Sequence, residues 1–379
     1  ANAGWVQAVS ATSGLQGFWV GGDFVTFMDG SEAAASSVEL VLPLPLVSPQ
    51  FELHVANTGV EEVIVLIELY GEDGLQLATP YPRAIRPKGF FTAAAASLFP
   101  ATNVAPARYI RLRCMNPFAA LVVARAALLP GWAVVNALPA STSTMELYFP
   151  QVVDGAGGGG NWQSVLGVTN LSATSSNDVS ITFTTENGIV LQTARRTLSP
   201  KGAIRESARS LFGLPPGYQN GWVRVVGTLP VTGFVSYADS IAGGVAVVPA
   251  QSRPRTNLLF AHIADLGQWQ TGLALLNTNL RSATVEVFAL APDGSLIGGA
   301  ANVPSARFSL DPGAKVSRLL SEWIPETQNR SGDGGFVFVR SDAALYGIEL
   351  FFTRDLRVLS NVPAGGIAAG ITYSPPSPR

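Results

Sequence analysis

An internal repeat of about 113 residues constrains the fold of this 379-residue chain more than any other feature. Its three lysines, Lys88, Lys201 and Lys315, are separated by 201 − 88 = 113 and 315 − 201 = 114 residues. The first two lie in the same tripeptide, Pro-Lys-Gly, and the third follows Pro312 and Gly313. A period of this length corresponds to one small β-sandwich domain, so the sequence predicts a series of similar units.

Two further landmarks recur in the same register. An asparagine ends an apolar stretch in each copy, and a turn glycine follows it 17 or 18 residues later. The glycines stand in Asp-Gly or Asn-Gly pairs, which supply the positive φ that tight hairpins need. We interpret the landmarks, lysines included, as structural: Asn57, Asn170, Asn277, Gly74, Gly188, Gly294, Lys88, Lys201 and Lys315.

Between the landmarks the apolar residues recur with a period of two. Val63, Val65 and Ile67 alternate with other residues, and Val179 and Ile181 do so in the next copy. This alternation is typical of half-buried strands. It predicts an all-β fold, a tandem array of Ig-like antiparallel β-sandwich modules with three complete copies and one N-terminal partial copy. One short helical stretch is expected after each lysine, at 92–98, 205–211 and 316–323.

The N-terminal segment resembles the end of a module without its beginning. Gly4-Trp5-Val6-Gln7 matches Gly221-Trp222-Val223-Arg224, and a Gly-Phe pair follows each motif at a similar distance. The expected domains are therefore a partial module at 1–38, three repeats at 39–140, 146–250 and 257–364, and a C-terminal tail at 365–379.

Two or three strands cannot bury an apolar face by themselves. The apolar side chains of the partial module are therefore expected to be open to water unless another segment covers them. The tail offers one more strand, which a neighbouring chain could receive at an exposed edge. The candidate assembly surface consists of Trp5, Phe18, Trp19, Phe24, Phe27, Ile367, Ile371 and Tyr373.

Composition excludes several classes of partner. Charged residues make up 13% of the chain and the net charge is −2, so no basic surface for nucleic acid is expected. The longest apolar candidate, 38–47, is short and contains Pro43 and Pro45, which argues against a membrane span. A mean hydropathy of +0.28 indicates instead that much surface is buried between modules or chains.

Residue types that carry chemistry are scarce. Cys114 is the single cysteine, so no internal disulfide forms, and we interpret it as a small buried strand residue. His54 and His262 stand between apolar neighbours in expected strands. The glycine-rich stretch 155–160 lacks the Lys-Ser/Thr of a phosphate-binding loop and predicts a flexible loop. No catalytic, metal or cofactor site is expected, and the chain is predicted not to be an enzyme.

Two tryptophans at equivalent strand entrances allow two interpretations. Trp162 and Trp269 recur in register, which favours packing in a core or between modules. The alternative is a sugar-binding platform, since an exposed ring can stack on a pyranose. Gln163 and Gln270 are the polar neighbours that such a platform would use.

A family resemblance rests on these motifs together. The stretch from Asn161 to Asn170, the hairpin at Glu186-Asn187-Gly188, the Pro200-Lys201-Gly202 tripeptide and Gly221-Trp222-Val223-Arg224 resemble the tandem Ig-like β-sandwich repeats of secreted and cell-surface proteins of environmental bacteria. The resemblance covers nearly the whole chain. Copy one departs from it with Pro49 at the tryptophan position, and copy three has an insertion before Pro312. It implies an extracellular, non-enzymatic role.

The functional expectation follows from the repeat and the partial module. The chain is predicted to be a structural subunit of an extracellular filament, sheath or surface appendage, in which chains associate head to tail by strand complementation. The alternative is a multivalent adhesin or carbohydrate-binding repeat protein, with glycans as partners.

Overall fold

The computed structural model describes residues 4–11, 17–22, 28–45, 50–125, 131–300, 303–328, 330, 332 and 334–366. Strands account for 59% of the chain and helices for 6%, so the all-β sandwich class expected from the sequence is confirmed. Five members of the expected assembly surface lie outside the described residues: Phe24, Phe27, Ile367, Ile371 and Tyr373.

The strands form a hairpin and three consecutive units. The hairpin comprises β1 (Phe18–Gly22) and β2 (Met28–Glu32). Unit 1 comprises β3 (Ser37–Pro43), β4 (Phe51–Ala56), β5 (Val63–Tyr70), β6 (Tyr81–Ile85), β7 (Phe90–Ala94), β8 (Tyr109–Arg125), β9 (Trp132–Asn136) and β10 (Leu138–Pro139). Unit 2 comprises β11 (Thr144–Gly157), β12 (Gly160–Asn170), β13 (Asn177–Thr185), β14 (Val190–Leu198), β15 (Ala203–Ser207), β16 (Gln219–Asp239) and β17 (Val245–Pro249).

Unit 3 comprises β18 (Arg255–Phe260), β19 (Trp269–Leu276), β20 (Ala283–Leu290), β21 (Leu296–Ile297), β22 (Ala306–Leu310), β23 (Lys315–Leu319), β24 (Phe336–Thr353), β25 (Leu359–Pro363) and β26 (Gly365–Gly366). Each unit has one short helix near its expected place: α1 (Ala95–Leu98), α2 (Ala208–Phe212) and α3 (Leu320–Trp323). Two 3-10 turns complete the elements, at Ala140–Thr142 and Pro325–Thr327. These units follow the strands, whereas the domain limits expected from the sequence stay a prediction.

One long strand passes through both sheets of each unit. In unit 1 the first half of β8 pairs with β3 and β5, and its second half pairs with β4 and β9. β16 and β24 repeat this scheme in units 2 and 3. Alternate residues face the core: Val63 and Val65 are buried, while Ile64 between them is 63% exposed. Each unit thus encloses its own apolar cluster.

The landmark asparagines hold loops together inside the units. Asn57, Asn170 and Asn277 are all fully buried. The Asn170 side-chain amide donates to the carbonyls of Ser175, Leu198 and Ser199, and its oxygen accepts from the Ser172 N–H. The other two asparagines make the same set of bonds in their own units. Each therefore satisfies backbone groups that no strand partner reaches.

The structure corrects the alignment of the third lysine. Lys88 and Lys201 occupy a turn position with φ of 54° and 58°, and Gly313 holds that position in unit 3 with φ of 72°. Lys315 lies two residues further on, at the place of Ala203: their N–H groups donate to corresponding carbonyls in the preceding unit. Because glycine adopts positive φ without strain, Gly313 can form the third turn, and no lysine is required at that position.

The three units are arranged in a ring that the N-terminal hairpin closes. β9, β17, β25 and β2 occupy the same place in their respective modules. β17 packs against β9 and β25, and β2 packs against the same two strands from the other side. Four equivalent strands therefore form a closed circuit, in which the hairpin takes the fourth position.

Three of the four positions of the ring, units 2 and 3 and the hairpin, insert equivalent side chains into the core of a neighbour. Phe234 and Val245 of unit 2 belong to the core of unit 1. Ile348 and Leu359 of unit 3 belong to the core of unit 2. In unit 3 the matching places are taken by Phe18 and Met28 of the hairpin, as the final pair of this series.

The sequence leaves Phe18 open to water unless another segment covers it, and the structure supplies that cover. Its ring lies 5.7 Å from that of His262 and 6.0 Å from that of Phe351. Val20 faces the same core, whereas the alternating Trp19 points away from it and stays half-exposed. The cover comes from unit 3 of the same chain, which the sequence pattern did not reveal.

Candidate functional site

Aromatic residues at equivalent positions join successive members of the ring. Each donates its one polar hydrogen to the carbonyl at the positive-φ turn position of the next unit. The three bonds are Trp5 Nε1 to Lys88 O (3.1 Å), Tyr109 Oη to Lys201 O (2.9 Å) and Trp222 Nε1 to Gly313 O (3.0 Å). Two features noted in the sequence therefore meet at the junctions between units. They are the lysine turns and the equivalent tryptophans Trp5 and Trp222.

Trp5 belongs to the first of these junctions. The Lys88 ammonium lies 5.9 Å from the centre of the Trp5 ring and also donates to Thr58 O. A cation above an aromatic face is a favourable contact. Trp5 thus contacts unit 1 of its own chain, and its part in an assembly surface stays a prediction.

The turn glycines show a contrast among the junctions of the described residues. A Cβ at Gly74 would lie 2.0 Å from the Pro200 carbonyl oxygen, because the unit 1 turn abuts unit 2. A Cβ at Gly188 would lie 3.2 Å from Gly313 of unit 3. At Gly294 in unit 3 the same construction meets no described atom within 4 Å. The turn of unit 3 therefore contacts no described neighbour, unlike the turns of units 1 and 2.

The hairpin lies on the same side of the ring and also has an edge without a described partner. Among the described residues β1 pairs with β2 alone. The matching half of β16 in unit 2 pairs with β17 on one side and with β12 on the other. We call the space between the edge of β1 that pairs with no described strand, with Trp19, and the Gly294 turn of unit 3 the open quadrant.

A buried carboxyl fastens the hairpin to both neighbours. Asp29 accepts from Ser360 Oγ of unit 3 (2.8 Å) and from the Val134 N–H of unit 1 (2.6 Å). Burial raises the pKa of this carboxyl to about 7, although these bonds and that from the Gly30 N–H oppose the rise. Glu32 lies on the same strand as Asp29, and its carbonyl accepts a hydrogen bond from the Asn136 side chain of unit 1 (2.7 Å).

A second site lies between units 2 and 3. It is a cavity of about 560 Å³ whose lining includes Trp162 and Gln270. Trp162 packs on the core of unit 2 and donates through Nε1 to Gly157 O (3.0 Å). Leu350 and Phe352 of unit 3 supply further apolar lining. We call this cavity the cleft.

A polar network forms one end of the cleft. Lys315, which is almost fully buried, donates to Gln151 Oε1 and to Asn220 Oδ1. Ser317 Oγ donates to the same Gln151 oxygen (3.0 Å). Burial lowers the pKa of the Lys315 ammonium to about 7, and only the nearby Glu186 opposes this.

The remaining residues singled out in the sequence lie elsewhere. Trp269 packs 5.9 Å from Phe351 beside the core of unit 3, and Gln163 is exposed outside the cleft. Cys114 is half-buried on β8 against the unit 1 core. His54 contacts Glu52 (2.8 Å). The repeat pattern in the sequence does not predict the polar network, because the residues at these positions differ from copy to copy.

Comparisons with known proteins show only distant likenesses. No family model and no curated protein matches the chain. The crystal structure of Thermotoga maritima 1070 is similar at 17% identity, with 29% of this chain and 95% of that chain covered and a TM-score of 0.25. A calcium-binding mutant of Bacteroides uniformis β-glucuronidase 2 is similar at 10% identity, with 56% of this chain and 25% of that chain covered and a TM-score of 0.13. Scores this low assign no activity to this chain.

Within the described ranges, no helix is both long and apolar enough to cross a bilayer.

Proposed function

We propose that this chain is a non-enzymatic structural subunit of an extracellular filament, sheath or surface appendage. Its assembly point is the open quadrant, where strands from another copy complete the fourth sandwich. The carrying observation is the contrast between junctions: the turns at Gly74 and Gly188 abut the next unit, while the Gly294 turn meets no described atom.

The open quadrant has the features of a strand acceptor. The edge of β1 pairs with no strand in the described part of the chain, and an added strand would satisfy its backbone groups. Trp19, half-exposed and turned away from the unit 3 core, gives the incoming chain an apolar contact. In the complete unit 2 this position is filled by β12, so the acceptor is shaped for an antiparallel strand.

The donor in this proposal is the C-terminal segment 367–379 of a neighbouring copy. The sequence places Ile367, Ile371 and Tyr373 at odd positions, which in a strand face one side. A contact between the tail of one chain and the open quadrant of the next joins two different surfaces. Such head-to-tail contacts give open fibres unless the rotation between copies closes a ring.

The test compares the full chain with two variants by light scattering and electron microscopy across a concentration series. Trp19→Lys places a charge at the edge of β1, and a chain ending at Gly366 lacks the donor. We expect the full chain to form elongated polymers and both variants to stay monomeric with unchanged circular dichroism. A full chain that remains monomeric at every concentration would refute the proposal.

Glycan recognition, the alternative expected from the sequence, concerns the cleft and does not depend on assembly at the open quadrant.

A further inference from the structure

The junction between units 1 and 2 and the junction between units 2 and 3 have the same backbone arrangement, so their side chains can be compared position by position. The strand following the turn of unit 2 packs on unit 1, and the matching strand of unit 3 packs on unit 2. By the strand register, Arg205 corresponds to Ser317, since they pair with Gly167 and Ala274 respectively. The same alignment matches Leu44 with Gln151 and Ala107 with Asn220.

At the first junction Arg205 occupies the space between the units. Its Nη1 donates to the carbonyls of Leu44 (2.8 Å) and Ala107 (3.2 Å). Burial lowers the pKa of this guanidinium to about 10. A long side chain therefore fills the position and satisfies the carbonyls there.

At the second junction the long side chain is replaced by a serine. The cation now comes from Lys315, two residues earlier, and it bonds to the side chains of Gln151 and Asn220 instead of to backbone. Gly272 lies on β19, which pairs with the strand that carries Ser317, and it adds no side chain to the cleft. The volume that Arg205 takes up in one junction is left as the cleft in the other.

The walls of the cleft combine the groups that a sugar ring needs. Trp162 and Tyr218 give aromatic surface on the unit 2 side, which suits the apolar face of a pyranose. The Gln270 amide makes no hydrogen bond to another described residue, so its donor and acceptor are available for hydroxyl groups. A volume of about 560 Å³ lies within the range of about 300–1,000 Å³ that is usual for small-ligand sites.

Charge selects the kind of sugar. Two arginines, Arg318 and Arg354, line the cleft, against a single carboxylate, Glu322. Glu322 is already engaged with the Leu319 N–H, whereas Arg354 uses only Nε, toward Gly267 O. The terminal nitrogens of Arg354 make no bond within the described part of the chain. A guanidinium fork of this kind matches a carboxylate.

We propose that the cleft between units 2 and 3 is a binding site for an acidic saccharide, a short oligosaccharide that carries uronic acid groups. The ring stacks on Trp162, the Gln270 amide bonds to hydroxyls, and Arg354 pairs with the carboxylate. The sequence pattern alone placed Trp162 and Gln270 in equivalent repeats but not in one site.

The test is calorimetric titration of the folded full chain with oligogalacturonate and with a neutral galacto-oligosaccharide of the same length. We expect binding of the acidic probe and at least about tenfold weaker binding of the neutral one, since charge-assisted bonds are roughly twice as strong as neutral ones. Arg354→Gln should weaken oligogalacturonate binding by about tenfold or more.

Ser317→Arg is the sharpest variant, because it recreates in this junction the side chain that fills the other. It should abolish binding while the thermal transition stays within a few degrees of the parent. Gln163→Ala is the matched control, since Gln163 neighbours Trp162 in sequence but is exposed outside the cleft. It should bind like the parent.

Three results would overturn the proposal: no binding of oligogalacturonate by the parent chain, equal binding of the neutral probe, or unchanged binding by Arg354→Gln. The last variant keeps the test decisive if Ser317→Arg does not fold. The titration measures the cleft alone, so a chain that polymerises without binding sugar separates this inference from the proposed assembly.

Discussion

At the scale of single residues, buried polar groups define this molecule as much as its apolar cores do. The sequence marked Asn57, Asn170 and Asn277 as landmarks but did not reveal their task, because their partners lie about 28 to 34 residues away along the chain. Asp29 was not singled out, since it belongs to no complete copy. Its role depends on which strands flank it in the ring.

Asp29 makes the attachment of the hairpin sensitive to pH. Its pKa is about 7 in the folded chain and near the ordinary value of 3.8 when the chain is unfolded. Between those values the folded state holds a proton that the unfolded state has released. Stability should therefore fall as the pH rises from about 4 to about 7, by at most about 1.4 kcal/mol per pH unit from this group, and then level off.

Asp29→Asn isolates the effect, because the amide has the same size and no titration. Glu32, Asp265 and Glu349 also have a raised pKa from burial and contribute the same slope in both proteins. Urea denaturation at steps from pH 4 to pH 8 measures the difference. A parent and a variant whose stabilities run parallel over that range would show that Asp29 does not titrate in this way.

At the scale of elements, the sequence predicted what is local and repeated. The alternation on β5 and β13, the turn glycines and the short helices all follow from patterns within one copy. The position of Lys315 does not follow from such a pattern. Gly313 occupies the turn, and Lys315 lies in the interface between units 2 and 3. The cleft was also out of reach, since it arises where a side chain of one unit fails to fill a space in another.

Two turn glycines offer a paired test of how the units contact each other. Gly74 and Gly294 have nearly the same φ, 78° and 83°, so alanine strains both backbones by about 1 kcal/mol. Only at Gly74 would the new Cβ also meet a carbonyl of the next unit. We expect Gly74→Ala to lower the free energy of unfolding by about 1–3 kcal/mol more than Gly294→Ala.

Chemical denaturation of both alanine variants, each made in the chain that ends at Gly366 and is expected to stay monomeric, gives the comparison. Equal losses would mean that the turn of unit 1 does not press on unit 2, and the contrast that defines the open quadrant would lose its energetic support.

At the scale of the whole molecule, the series of units closes on itself. The repeat predicts a linear array, because each copy is alike and nothing in the pattern bends the chain. The closure is carried by residues that differ from their counterparts: Met28, Asp29 and Ser31 of β2 match Val245, Ala246 and Val248 of β17. Their polar bonds to units 1 and 3 have no equivalent in the other copies.

Removal of residues 1–36 should therefore open the ring rather than trim an appendage. Phe18, Val20 and Met28 leave the core of unit 3, and each buried side chain of this size contributes about 1.5–3 kcal/mol. The loss also uncovers Phe351 and strands β9 and β25. We expect a transition that is several degrees lower in calorimetry and faster proteolysis of unit 3 than of unit 2.

Trp5→Ala serves as the control for this deletion, because it removes the contact with Lys88 and leaves the hairpin in place. Its effect should be small, since the Trp5 to Lys88 bond lies at the surface. If the shortened chain melts at the temperature of the parent, the hairpin adds nothing to the stability of unit 3. The open quadrant would then be bordered by an element free to leave, and a stable strand acceptor could not be built on it.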